Sequence, residues 1–409
     1  DFCLHSATPP HLPTLSRRRW LLTALASAGL AACGGGHADE GTPTPSTDPA
    51  LTAAAQAAVA QGLVGVTLGL VEPEKIRLSS AGLRRQSGAA LQTSDALYFG
   101  SNAKAMTAMT LARLVDLGTL RWDLTLTQAL GSVPGMRAEY GPITLQQLLD
   151  HQGGILAMNG TSDDEDRFLA ALLADPNPLP TTVQGRRRYA AQWLLGQTPP
   201  TGVTPGRDFH YSNGGYMLAA VMAEAATGLD FEVLLRQHLA QPLGLNLHTL
   251  KLSQLDANQP RGYTGLPQAL TEQVPPEADV EDWLYTLAPA GEYACTGDSY
   301  ARWLHILMRA LRGGSTPLPA SAVARLRALS ADNYALGWQA LSLNGKRVLA
   351  HTGSTGSFMS LAVLDPNGQW AAFGLTNTGY MDAATGASWV QTLLNEALAP
   401  FTQSWLAAG

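Results

Sequence analysis

Ser101 and Lys104 stand three residues apart in Phe99-Gly100-Ser101-Asn102-Ala103-Lys104, where a short apolar run breaks at a glycine and passes into an apolar helical pattern. Three-residue spacing puts two side chains on one helix face. A serine hydroxyl is a weak nucleophile until a neighbour takes its proton. A lysine held in an apolar helix loses hydration, so its pKa falls and its amine becomes a proton acceptor. A helix start adds backbone N–H groups and positive potential for an oxyanion. The chemistry these residues could do is covalent acyl transfer. Ser-x-x-Lys also arises by chance, and a serine ahead of a helix is ordinarily a cap. Lysine is scarce here, however, and of Lys75, Lys104, Lys251 and Lys346 only Lys104 has a serine at that spacing.

Two further clusters could join them. Tyr211-Ser212-Asn213 sits just ahead of a helical pattern that ends at Thr227-Gly228. A tyrosine near cations has a depressed pKa and serves as acid or base, and Asn213 both donates and accepts. His351-Thr352-Gly353-Ser354 closes an apolar strand pattern that begins at Arg347. Gly353 permits close backbone approach, Thr352 offers a hydroxyl, and the Ser354 N–H is placed for an oxyanion. Each cluster by itself has a plain structural explanation: a packing tyrosine, a capping asparagine, a satisfied histidine. Their order, with separations of roughly 110 and 140 residues, shifts the balance toward one shared site.

The elements that must position these residues come from both chain ends. Leu51–Gln61 is an Ala-rich helix, followed by strands over Val64–Val71 and Ile76–Leu83. Later strands are expected at Ala335–Leu341, Arg347–His351, Phe358–Leu364 and Trp370–Thr376, with Asn344-Gly345 as a hairpin turn and Ser388–Leu398 as a helix. Between them helical patterns dominate, as at Leu145–Leu149, Tyr216–Ala226, Phe231–Leu239 and Tyr300–Leu311. The expected fold is α/β of the α+β kind. An antiparallel sheet from residues 51–102 and 335–400 is flanked by helices, and a mostly helical region, 103–334, is inserted. The charged stretch 161–188, acidic and then basic, reads as a solvated loop.

The three motifs in this order resemble the penicillin-recognising serine hydrolases, in the branch of class C β-lactamases, DD-peptidases and family VIII-like esterases. The resemblance runs from Leu51 to Leu398 and includes Ile143–His151, Pro289-Ala290-Gly291 and Leu336-Gly337-Trp338. It implies a β-lactamase/transpeptidase-like fold in which Ser101 forms an acyl-enzyme while Lys104 and Tyr211 share the proton. It further implies that Asn213 positions the substrate amide, that the N–H groups of Ser101 and Ser354 form the oxyanion hole, and that His351 and Thr352 meet the leaving side or a substrate carboxylate. No metal or organic cofactor is implied. His351 stands where class C β-lactamases carry lysine, and a neutral imidazole attracts a β-lactam carboxylate less than an ammonium does. His151-Gln152-Gly153-Gly154 also departs from the usual His-Thr-Ser-Gly. The expected function is therefore hydrolysis of peptide, amide or ester bonds in the manner of a DD-carboxypeptidase or D-peptidase. Carboxylesterase and β-lactamase follow. A non-catalytic penicillin- or peptidoglycan-binding lipoprotein is the reading from another class.

The bulk numbers bound the rest. The 409 residues are 45% hydrophobic and 14% charged, a globular composition. A net charge of −6 argues against a nucleic-acid partner. Cys3, Cys33 and Cys295 lie too far apart for a disulfide framework or a zinc ribbon, and Cys295 is expected to be buried and inert. Residues 1–32 carry Arg17-Arg18-Arg19 and an apolar run, Trp20 to Ala32, that reads as an export signal resembling the twin-arginine type. Leu30-Ala31-Ala32-Cys33 resembles a lipobox, which implies lipid on Cys33. Residues 33–50 then form a flexible tether and 51–400 the hydrolase domain. The expected partners are a small-molecule or peptidoglycan-peptide substrate and a membrane reached through that anchor, with the enzyme on the periplasmic face.

Overall fold

The computed structural model of the protein describes residues 41–160, 162–256, 258–330, 333–382 and 385–407. The export signal and Cys33 lie outside these residues. The first helix, α1 (Pro49–Ala60), is capped by Asp48, whose carboxylate accepts from the N–H groups of Ala50 and Leu51. Strands β1 (Gly65–Glu72) and β2 (Lys75–Gly82) follow as a hairpin, then β3 (Ala96–Tyr98) and helix α2 (Ala103–Asp116). The middle of the chain holds helices and four short strands, β4 (Leu247–His248), β5 (Tyr263–Leu266), β6 (Ala269–Glu272) and β7 (Ala294–Thr296). The last part supplies β8 (Tyr334–Ala335), β9 (Trp338–Leu343), β10 (Lys346–Ser354), β11 (Met359–Leu364), β12 (Ala371–Thr376) and the two-residue β13 (Thr378–Gly379), then a long helix, Trp389–Ala407.

Seven strands form the main sheet in the order β2-β1-β12-β11-β10-β9-β8, and every recorded pairing in it is antiparallel. The two chain ends thus meet at the β1–β12 pairing, where Val66 faces Thr376 and Val71 faces Ala371. Alternation along the strands separates two cores. Val66, Leu68, Leu70, Leu361 and Val363 pack with α1 and the Trp389–Ala407 helix, whereas Leu349, Leu364, Phe373 and Leu375 face the helical layer. In the Asn344-Gly345 turn both residues have positive φ, 49° and 78°, as a two-residue hairpin requires.

The inserted region is mostly helical, and its β7 pairs with β3, which stitches the insert to the chain just before Ser101. Two expectations change on this frame. The tether ends earlier than residue 50. Ser46 bridges to Arg77 on β2, and Asp48 holds the Arg77 guanidinium at 3.2 Å while capping α1. The 161–188 stretch is not a solvated loop. It contributes the helix Asp164–Ala174 and the start of another, Val183–Gly196, with Arg187 fully buried. Sequence shows the charges but not Glu224 and Glu232, whose carboxylates hold that guanidinium in the interior. Among the described residues, no helix is long and apolar enough to cross a membrane.

Candidate active site

Ser101 lies in a one-turn 3₁₀ segment, Gly100–Asn102, that leads into α2. Nearly every residue of α2 is buried, Lys104 completely so. Helical spacing delivers the Lys104 amine to Ser101 Oγ at 2.9 Å. Two other oxygens meet the same nitrogen: Asn213 Oδ1 at 2.7 Å and the Ala290 carbonyl at 2.8 Å. All three are neutral. Burial therefore pushes the Lys104 pKa well below its ordinary value, opposed by the charge of Glu292.

Asn213 is the first residue of its helix (Asn213–Thr227), and Ser212 is the cap, its Oγ accepting from the Gly215 N–H. Asn213 Nδ2 donates to the Met158 carbonyl at 2.7 Å, which fixes the orientation of the amide and turns Oδ1 toward Lys104. Tyr211 lies just ahead, with Lys104 Nζ 4.8 Å from its ring centroid and its phenol beside Ser101. The expected depression of its pKa is reversed. Burial raises it and the Ser101 contact opposes this weakly, so the phenol keeps its proton. Beneath Tyr211 sits buried His151, ring centroids 4.3 Å apart, with Nδ1 accepting from the Ser212 N–H.

The His351–Ser354 end of β10 reaches the same place. The β9 ladder stops at Ala350, so β10 continues alongside β11 and against the Gly100–Ser101 turn. A methyl group on Gly353 would fall 2.1 Å from the Phe99 carbonyl and 2.9 Å from Ser101 N, and one on Gly100, at φ +52°, 2.3 Å from Ser354 N. Side-chain-free residues at both positions let the two peptides lie against each other, which gathers the Ser101 and Ser354 amides. The His351 ring lies 6.2 Å from Tyr211, and its pKa is pulled down to about 4 by burial and then by Lys104. Thr352 contributes a carbonyl, 2.5 Å from His351 Nδ1. Ser101, Lys104, Tyr211, Asn213 and His351 therefore lie in one region with the Ser354 amide, the Asn213 amide turned to Lys104 and Met158, while Gly353 serves as the point of close approach and Thr352 is engaged through its carbonyl.

Residues 51–394 match the family model described as Beta-lactamase. The chain belongs to the beta-lactamase family. It is accordingly a serine hydrolase. Penicillin-binding protein 4 of Amycolatopsis lactamdurans is 28% identical over 329 residues, 76% of this chain and 79% of that protein. The fold is similar to the octameric penicillin-binding protein homologue from Pyrococcus abyssi, with a TM-score of 0.67, 18% identity, and coverage of 86% of this chain and 77% of that one. It is also similar to the D-amino acid amidase from Ochrobactrum anthropi SV3 complexed with D-phenylalanine, with a TM-score of 0.63, 20% identity, and coverage of 87% and 98%.

Within this member of the beta-lactamase family, the contacts that hold the site together run through residues whose roles no local sequence pattern shows. Asn102 donates to Ser360 Oγ at 2.7 Å and to the His351 carbonyl at 3.3 Å, tying the Ser101 turn to β10 and β11. Thr107 donates to the Pro289 carbonyl at 2.7 Å, which seats the segment whose next carbonyl receives Lys104. Gly337, at φ +84°, brings the β8–β9 turn within 2.2 Å, measured from where its methyl would stand, of the Ala105 nitrogen. Half-buried Glu292 has its carboxyl pushed up to about 7 by burial, with Lys104 opposing and Glu281 adding. Cys295 is buried in β7 and its thiol is pushed up by burial, which leaves it unreactive.

Proposed function

We propose that this protein hydrolyses amide and ester bonds through an acyl-enzyme on Ser101, with D-amino-acid amides and D-peptides as its first substrate class. One observation carries the reading. Asn213 Oδ1 and the Ala290 carbonyl can only accept, so they take the two N–H bonds of an uncharged Lys104 amine and leave its lone pair for the Ser101 hydroxyl. In the proposed sequence Ser101 Oγ bonds to the substrate carbonyl carbon and its proton passes to Lys104 Nζ. The ammonium then has three acceptors for three hydrogens. The oxyanion rests on the N–H groups of Ser101 and Ser354. The carbon–nitrogen or carbon–oxygen bond breaks, and the proton leaves Lys104 for the departing group by way of the Tyr211 phenol. Water then gives a proton to Lys104, attacks the acyl carbon, and returns Ser101 to its hydroxyl form. The sum is one water consumed, with one acid and one amine or alcohol released.

The D-configured class is supported by similarity to the D-amino acid amidase and to a penicillin-binding protein. A β-lactamase ranks lower, because the position that would meet a lactam carboxylate is a histidine held neutral. Intact-mass spectrometry after exposure to a fluorophosphonate tests the nucleophile. One adduct is expected, on Ser101 and absent from Ser101→Ala; an adduct elsewhere contradicts it. Export with a lipid on Cys33 remains part of the proposal, and metabolic labelling with palmitate, lost in Cys33→Ser, is the outcome that supports it.

A further inference from the structure

Tyr334 ties itself to this site without reaching the reacting atoms. It is buried in β8, and its hydroxyl lies 3.2 Å from His351 Nε2, the two rings nearly perpendicular with centroids 5.7 Å apart. The other ring nitrogen, Nδ1, lies 2.5 Å from the Thr352 carbonyl. A carbonyl only accepts, so Nδ1 carries a hydrogen. In the neutral ring Nε2 is then an acceptor, and the Tyr334 hydroxyl is its donor. Were Nε2 to gain a proton, it would donate to the same phenol oxygen. In both states the two nitrogens are used inside the protein.

Tyr334 is itself held. Its ring packs 4.6 Å from His151, 6.0 Å from Phe209 and 6.4 Å from Tyr211. Arg325, which lines a cavity together with Tyr334, is engaged by the Asp150 carboxylate. A carboxylate on a substrate is bound by a cation or by free N–H donors, and His351, so occupied, provides neither.

We propose that Tyr334 is a specificity-determining residue: by donating to His351 Nε2 it keeps that nitrogen without a hydrogen, so the ring offers no donor to a carboxylate on the leaving side and the site favours uncharged leaving groups. Carboxamides, internal peptide bonds and neutral esters fit; peptides and lactams that present a free carboxylate there are disfavoured. The inference rests on the acyl-enzyme reading and narrows its substrate class.

A matched pair of N-acyl-D-alanyl depsipeptides tests it, with D-lactate or D-lactate methyl ester as the leaving group. In the wild-type protein kcat/KM should favour the methyl ester at least tenfold. Tyr334→Phe, which removes the donor and lets Nε2 take a proton to offer the carboxylate, should shift that preference toward the carboxylate at least tenfold, chiefly through KM. A preference unchanged within twofold, or a wild-type protein that favours the carboxylate, overturns the inference while leaving Ser101-dependent turnover standing. Failure of both compounds, together with no phosphonate adduct on Ser101, overturns the acyl-enzyme reading and this inference with it. Nitrogen-15 NMR of the wild-type imidazoles gives a second reading that needs no Tyr334 variant. The His351 signal, identified by its loss in His351→Gln, should show the Nδ1–H tautomer at pH 7. The Nε2–H tautomer would contradict the proposal.

Discussion

Two cations lie fully buried among the described residues, Lys104 and Arg187, and they meet opposite fates. Arg187 Nη1 donates to Glu224 at 2.6 Å and to Glu232 at 3.1 Å, its other terminal nitrogen to Glu232 again, and Nε to the Thr286 carbonyl at 3.2 Å. Burial opposes its charge, yet the Glu232 and Glu224 carboxylates together push its pKa up. Lys104 is equally deep but is surrounded by a hydroxyl, an amide oxygen and a backbone carbonyl. The one charge that opposes the loss of hydration there is Glu292, which acts through space. Depth is the same at the two sites, so the charge of the partners decides the outcome: one cation locks helices together, the other gives up its proton.

That contrast can be broken in several ways. Ser101→Ala should lower kcat/KM by about 10⁴–10⁶-fold and Lys104→Met by about 10²–10⁴-fold. Circular dichroism melts should show both variants folded, since removing a desolvated amine strands no opposite charge. Asn213→Asp would give Lys104 the kind of partner Arg187 has. Its pKa should rise, and because the free amine is the active form, the acid limb of kcat/KM should move to higher pH. Activity at pH 7 should fall by about 10- to 100-fold and recover in alkali. Arg187→Met should cost about 3–5 kcal/mol in urea unfolding, because it leaves the Glu224 and Glu232 carboxylates uncompensated. The smallest effect is expected from Glu292→Gln. Loss of the carboxylate that opposes desolvation should lower the Lys104 pKa further and shift the acid limb to lower pH; a shift to higher pH would reverse the assigned sign.

The same contrast explains what could be read from the sequence. Ser101, Lys104 and Gly353 were legible because helix spacing and a strand-end glycine carry their geometry with them, and the Asn344-Gly345 hairpin declared itself by its backbone demands. Ala290 could be noted as part of Pro289-Ala290-Gly291, but its contribution is a carbonyl that every residue owns. Tyr334 and Asn102 act through partners 17 residues and more than 240 residues away, and no local pattern encodes that. Arg187 sits between Arg186 and Arg188 in a stretch whose charges read as a solvated loop, while its carboxylates arrive 37 and 45 residues later. The tyrosine pKa was misjudged for a related reason: the nearby cation proves to be an amine that burial discharges.

Only four lysines occur in the chain, Lys75, Lys104, Lys251 and Lys346, so their side-chain carbons can be followed singly by carbon-13 NMR across a pH titration. The account requires the signal that is absent from Lys104→Arg to titrate well below the ordinary lysine value of about 10.4. A Lys104 signal with an ordinary alkaline midpoint would leave that amine charged at neutral pH, and the proposed base would be lost.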